Sequence, residues 1–450
     1  MMNQSNLCGS AFRRPWIVTG FVILVATLLI TMVPNLISVD EHPNAEWYIK
    51  LAEGRISEVE RPYSGRILAP MIVYAAKAVL GKPDVQALFA SLSFISLIVF
   101  IGGVTVILGS ATTRPALSFF VLVTPLTVYW FRNYCYPEMF YSALLALFFL
   151  TMLYEKWLPS ILILFLLMLT REDTIILSCC LAVIFLLRKD MRKLAGLVII
   201  ATLAGVIVIT LVSSGGKSNI HGTSHIVYLL LKAPYNLLKN YFGIELWTNT
   251  LAHGKLTAHS FREQPIWFME LPRWLQAGQI KKAGIYQICL DFPLSTLKIM
   301  LTMFGLMPSL LIGLLLTGRQ RWKDCSPFMA TLISLGLISF LAGPCLGADV
   351  ERLVSYGWPA FWIATPILIA TNPSISTKAY YILAWSFVLC WIPWLVQYFG
   401  ILNVFYIIFI AAVIHFVVVR SILRTASVKG AAKEPSDSWE NSPRPLRSRR

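Results

Sequence analysis

Apolar runs of about 16 to 24 residues recur along this chain from residue 16 to residue 420, each closed by a short polar turn. A helix needs about 20 apolar residues to cross roughly 30 Å of hydrocarbon. Inside a bilayer only helices and closed barrels satisfy every backbone polar group, and the alternation of a barrel strand is absent. The recurrence therefore predicts an all-α polytopic membrane protein. Composition agrees: charged residues are 13% of the chain and hydrophobic residues 57%, where a soluble domain carries about 25% charge.

The turns alternate in character. Arg188-Lys189-Asp190-Met191-Arg192-Lys193 and Arg319-Gln320-Arg321-Trp322-Lys323 are basic. The turns between them carry isolated acids: Asp40-Glu41, Glu138, Arg171-Glu172-Asp173 and Asp349-Val350-Glu351-Arg352. Turns assigned to the cytoplasm hold just over half of the 38 basic residues but about a quarter of the 22 acidic ones. A basic bias of this kind orients membrane proteins, so the net charge of +16 is read as topology, and nucleic acid is not an expected partner.

Residues 1–15 are assigned to the cytoplasm, and a first span at about 16–38 delivers residues 39–66 outside. That apolar run is longer than a cleaved signal's and lacks a small-residue cleavage site. Residues 67–81, amphipathic and bounded by Pro70 and Gly81, are placed as a helix at the outer interface. Further spans are expected at about 85–108, 116–131, 139–154, 157–170, 174–187, 194–213, 294–317, 326–345, 353–371, 379–399 and 401–420, making about twelve. They group into an N-terminal module, 16–213, and a C-terminal module, 294–420. Between them, 214–293 forms a large extracytoplasmic loop, expected to hold a few short helices over the outer mouth. Residues 421–450 read as a disordered basic cytoplasmic tail.

The spans flanking residue 171 reach only about 21 Å each. Keeping them separate leaves Arg171-Glu172-Asp173 at recessed tips rather than buried in one long helix. No pair of Gly/Pro-broken spans in matching halves, the mark of inverted-repeat transporters, is legible. The eight cysteines contain no Cys-x-x-Cys pair, so neither a disulfide framework nor a zinc site is expected. The six histidines are scattered and no Gly-rich phosphate loop occurs.

Asp40 and Glu41 follow the first helix directly, where a carboxylate can take the proton of an attacking hydroxyl or simply solvate a helix end. Glu46 lies close behind. Arg66 opens the interfacial helix, where a guanidinium beside a helix N-terminus suits phosphate and equally suits headgroup snorkelling. Charges between two apolar runs, as at Arg171 and Glu172, are costly and functional by default; the alternative is an ion pair bracing two helices. Asp349 and Arg352 sit at another outer junction, and Glu138 follows Pro137 at a third.

These residues, in this order, resemble the GT-C superfamily of membrane glycosyltransferases. Asp40-Glu41 is similar to the Asp-Glu of protein O-mannosyltransferase-like members. Trp47-Tyr48-Ile49-Lys50-Leu51-Ala52 with Pro62-Tyr63-Ser64-Gly65-Arg66-Ile67-Leu68-Ala69-Pro70 is similar to a stretch of bacterial surface-glycopolymer proteins. Pro137-Glu138, Thr170-Arg171-Glu172 and Asp349 to Arg352 resemble further family features. Asn44 stands where the glycopolymer group carries an Asp, which moves the essential carboxylate to Asp40.

The resemblance implies a GT-C-like bundle in a bacterial inner membrane with its active site on the extracytoplasmic face. A polyprenyl-phosphate-linked sugar would be the donor, and a glycan, lipid or protein the acceptor. Arg66, Arg171 and Arg352 would hold the donor phosphate, Asp40 would act as base beside Glu41, and Glu46, Tyr48, Tyr63, Glu138, Glu172 and Asp349 would support them. No Asp-x-Asp pair is present, so no metal is implied. A lipid-linked glycan flippase, a glycan polymerase or ligase, and a non-catalytic scaffold are the rival readings.

Overall fold

A computed structural model of the chain describes residues 15–31, 44–60, 63–81, 84–112, 117–216, 223–245, 247–252, 255–260, 287–288, 291–317, 325–346, 350–371, 383–392, 413–414, 416–418 and 420–421. They are mostly helical. In chain order the first elements are α1 (Pro15–Thr31), α2 (Ala45–Ala52), α3 (Leu68–Leu80), α4 (Val85–Thr112), α5 (Leu117–Leu122) and α6 (Pro125–Arg132). There follow α7 (Glu138–Leu153), α8 (Trp157–Thr170), α9 (Thr174–Leu186), α10 (Arg192–Ser213) and α11 (Thr223–Phe242). Then come α12 (Asp291–Phe304), α13 (Met307–Thr317), α14 (Pro327–Leu346) and α15 (Val350–Ser355), which continues through a π-helical stretch, Pro359–Ala364, to Thr371.

Four helices among the described residues are long and apolar enough to cross a membrane: Val85–Thr112, Lys189–Ser213, Pro327–Cys345 and Val350–Ala370. A fifth crossing is available if a bent pair, Thr296–Phe304 with Met307–Leu316, counts as one. The Lys189–Ser213 helix turns Ile199, Ile200, Leu203, Ile207 and Leu211 outward, a surface that water would not tolerate but lipid tails would. By length and apolarity these helices could span a membrane, which is consistent with an integral membrane protein. Residues 157–170 and 174–186 form two separate helices, with 171–173 as the turn between them.

Two of the expected spans are broken, and each break has a local cause. The run expected at 116–131 is two helices, α5 and α6, because Pro125 forces its predecessor out of the helical region. Thr124 sits at φ −127° and ψ 157°. The run expected at 294–317 bends by 80° at Gly305, whose φ of +52° is left-handed. A side chain there would meet the Ser386 carbonyl at 2.4 Å. Both breaks are invisible to hydropathy, which does not register a proline or glycine inside an apolar run; they fall in the third span of the N-terminal module and the first of the C-terminal one.

The helix expected at the interface, α3, runs from Leu68 to Leu80 and ends at Gly81, with φ +71°, a left-handed C-terminal stop. Ala69, Pro70 and Val73 face inward, while Met71, Ile72, Tyr74, Val79 and Leu80 face out. The 214–293 segment also departs from expectation. In place of a few short helices, its described part holds the 20-residue α11 and two short antiparallel pairings: β1 (Ile244–Glu245) with β4 (Gln287–Ile288), and β2 (Trp247–Ala252) with β3 (Lys255–Ser260). Helix α11 is docked by chemistry at the end of α14, whose last carbonyls have no partner within their own helix. Asn240 Nδ2 donates to Pro344 O at 2.7 Å, Asn236 Nδ2 to Cys345 O at 3.3 Å, and Tyr241 OH to Leu341 O at 2.7 Å.

The core is aromatic. Phe100, Trp130, Phe149, Phe304, Phe361, Trp358 and Trp362 are all buried, with edge-on contacts such as Phe100 to Trp358, 5.2 Å between centroids. Edge-to-face geometry lets the positive rim of one ring meet the negative face of the next. This core joins α4, α6, α7 and the Pro359–Ala364 stretch. At one end, Arg188 donates to the Cys325 carbonyl, which ties the basic turn after α9 to the start of α14. Glu138, the turn 171–173 and Arg352 gather at the other end of α9.

Candidate functional site

Each charge at that other end is placed by the end of an element. Glu138 opens α7, where a carboxylate complements the helix dipole, and Arg171 follows the last residue of α8, where a cation does. Arg66 comes after the 3₁₀ turn Tyr63–Gly65 and just ahead of α3. Arg352 lies on α15, and Tyr356 is one helical turn further on.

Their side chains meet. Glu138 is 2% exposed, and its Oε1 accepts from Arg171 Nη1 at 2.6 Å and from Arg352 Nε at 2.7 Å. Tyr356 OH approaches the same oxygen at 3.4 Å. Arg171 also donates to Asp173 Oδ2, at 3.1 Å from Nε and 2.5 Å from Nη2. Arg66 donates through Nε to Glu172 Oε2 at 2.9 Å, through Nη2 to Glu172 Oε1, and through Nη1 to Tyr48 OH at 3.1 Å.

Tyrosine rings join the two halves. Tyr48 stands edge-on to Tyr63 and to Tyr136, at 5.9 Å each. Arg66 lies against Tyr63 at 5.2 Å, Arg352 against Tyr136 at 4.7 Å, and Arg171 against Tyr356 at 4.7 Å. A continuous path therefore runs Glu172, Arg66, Tyr48, Tyr136, Arg352, Glu138, Arg171, Asp173. Its closing hydrogen bond, between Glu138 and Arg352, joins residues 214 apart in the chain.

Three guanidiniums face three carboxylates, so the cluster is close to neutral. A buried pair of this kind stabilises weakly compared with apolar packing of the same volume, but losing one member is costly. The three pairs differ in how they meet solvent. Glu138 is enclosed, whereas the Glu172 side chain is 41% exposed and its partner Arg66 only 8%. Desolvation opposes ionisation of Glu172, but the Arg66 guanidinium outweighs it and holds the carboxyl well below the usual carboxylate range. The second carboxylate oxygen of Glu138, also buried, has no hydrogen-bond partner among the described residues.

A small crevice of about 10 Å³ lies beside this cluster, lined by Asp173 and Tyr356 and by Tyr141, Leu145, Ile176 and Leu335. Among the described residues, no three of His, Cys, Asp and Glu are grouped so as to hold a metal ion.

Of the residues picked out from sequence, the structure brings together Arg66, Arg171, Arg352, Tyr48, Tyr63, Glu138 and Glu172. Asp40, Glu41 and Asp349 lie outside the described residues. Glu46 does not join the cluster: it is on the exposed face of α2, 3.7 Å from Lys50. Each of the three arginines has a carboxylate partner, Arg66 in Glu172 and Arg171 and Arg352 in Glu138. Tyr136, Tyr356 and Asp173 were not singled out individually. Signals for them exist: Tyr356 follows Arg352 by four residues, Tyr136 precedes the Pro137-Glu138 pair, and Asp173 belongs to the charged turn itself.

No family model, no curated protein and no solved structure matches this chain.

Proposed function

We propose that this chain is a membrane glycosyltransferase of the GT-C kind, moving a sugar from a polyprenyl-phosphate donor to a glycan, lipid or protein acceptor on the extracytoplasmic face. The observation that carries this reading is the meeting of Arg66, Arg171 and Arg352 at one end of an apolar bundle. Guanidiniums gathered inside a membrane protein suit a ligand whose charge is anionic and whose remainder is lipid. Of the three, Arg66 is the one whose carboxylate partner is most exposed, so it is the one that would take the phosphate, with Arg171 and Arg352 adding charge from behind their own pairs. The full bundle of about twelve spans belongs to the same proposal.

In the reaction, Asp40 takes the proton of the acceptor hydroxyl as its oxygen attacks the anomeric carbon. The bond from that carbon to the phosphate oxygen breaks, and the lipid phosphate departs with the electron pair, inverting the centre. Arginine charge stabilises the anion as it forms, an effect that is strong where water is excluded.

A second reading has its own support. Two elements are discontinuous, α5 with α6 and α12 with α13, and discontinuous helices are a feature of transporters, although these two do not occupy corresponding positions in the two modules. A flippase for a lipid-linked glycan would use the same arginines without a base. Mass analysis of surface glycans and lipid-linked precursors, in cells with and without the gene, separates the two. Loss of one sugar from the surface glycan supports transfer. Accumulation of an intact inner-face precursor refutes it in favour of the flippase.

A further inference from the structure

We infer that Glu172 is a built-in substitute for the ligand's phosphate: it holds Arg66 in the empty protein and leaves it when a lipid phosphate monoester arrives. This rests on the proposed function only for the anionic chemistry of the donor.

Four features support the exchange. First, Glu172 grips Arg66 through Nε and Nη2, the two-pronged face that a guanidinium also presents to phosphate. Second, the partners differ in exposure: Arg66 is enclosed, whereas Glu172 comes from the open side on the three-residue turn between α8 and α9. An arriving anion meets the carboxylate first, and the carboxylate has an open side to withdraw toward. Third, Arg66 keeps its orientation without Glu172, because Tyr48 holds Nη1 and the Tyr63 ring packs alongside. Fourth, the other pairs are unsuited to opening. Glu138 is shared by two buried arginines, and Asp173 lies two residues from Arg171 on the same turn. Freeing Glu138 would leave buried charge without compensation.

The position also favours a lipid anion over a free one. Two residues after Arg66, α3 begins, and it turns Met71, Ile72, Tyr74 and Leu80 outward. An alkyl chain attached to the bound phosphate would find that surface at once.

Exchange of this kind has a measurable signature. While Glu172 occupies Arg66, the binding-competent fraction is small, and the apparent affinity falls in proportion. Removing the carboxylate's charge lifts that penalty. The full chain in phosphatidylcholine nanodiscs is titrated with ³²P-labelled decyl phosphate, and separately with inorganic phosphate. Glu172→Gln is expected to tighten decyl phosphate about tenfold, and Arg66→Gln to abolish its binding.

Unchanged or weaker binding by Glu172→Gln, in protein that melts as the parent does, overturns the inference. If Glu172→Gln fails to fold, Glu172→Asp replaces it: the shorter side chain should give an intermediate gain, and parental affinity would overturn the inference. Equal tightening toward inorganic phosphate would overturn the lipid assignment. Sugar transfer without the Glu172→Gln effect removes this inference alone. The effect in a chain that transfers no sugar removes the proposed function and leaves the exchange standing.

Discussion

Removing Glu138 should be the most damaging single change in the cluster. The carboxylate is 2% exposed and shared by Arg171 and Arg352, themselves almost fully enclosed. Breaking a buried ion pair by deleting one partner costs about 3–5 kcal/mol, so Glu138→Ala falls in or above that range. Unfolding entropy of about 2 cal/mol/K per residue, taken over 450 residues, gives roughly 1 kcal/mol per degree. The melting midpoint should drop by at least about 3–5 °C, and by more if helices persist in detergent and the entropy is smaller. Thermal challenge of detergent-purified protein, read by size-exclusion chromatography, measures the shift. Glu138→Gln keeps an acceptor oxygen and loses only the charge, so its midpoint should lie between those of Glu138→Ala and the parent. Pairing Glu138→Met with Arg352→Met should cost less than the two single changes added together, because the double change removes both charges. A Glu138→Ala midpoint within 1 °C of the parent would refute the idea that this carboxylate braces the site.

Two further outcomes bear on the topology and the packing. In a background without native cysteines, Asp190→Cys and Ile220→Cys should label from opposite sides with an impermeant maleimide, and labelling from one side would end the argument for a shared outer site. Gly336→Ala should cost about 1–3 kcal/mol through overpacking, since its methyl would lie 2.3 Å from Ala360 Cβ and 2.6 Å from the Ala360 nitrogen. Gly196→Ala, with nothing within 4 Å, should melt like the parent, and equal effects at the two positions would contradict the close helix contact.

The gathering of Arg66, Glu138, Arg171 and Arg352 was legible because each is a charge at a junction of apolar runs, and such charges are too costly to be left scattered in lipid. Which acid holds which arginine was not. Glu138 reaches Arg171 and Arg352 across 33 and 214 residues, and no local pattern encodes an approach of that length. Tyr136 and Tyr356 were hidden for another reason: tyrosine near a span end already has an explanation in the interfacial belt. The breaks at Pro125 and Gly305 were lost because one residue barely alters the hydropathy of a 20-residue window. Helix α11 was missed because its apolar positions are interleaved with His225, Lys232, Asn236 and Lys239. Its stability comes in part from the helix end it caps, which sequence does not show.

The central claim is that sugar is transferred at this cluster with Asp40 as the base. Its most direct test is the sugar content of the surface glycan in cells carrying Asp40→Asn, alongside the amount and membrane insertion of the variant. Loss of a general base lowers a rate by about 10² to 10⁴. The account therefore predicts that the transferred sugar disappears while the protein is made, inserted and still able to bind decyl phosphate. Near-normal glycan from the Asp40→Asn protein would contradict it, and would leave the flippase as the reading that needs no proton acceptor there.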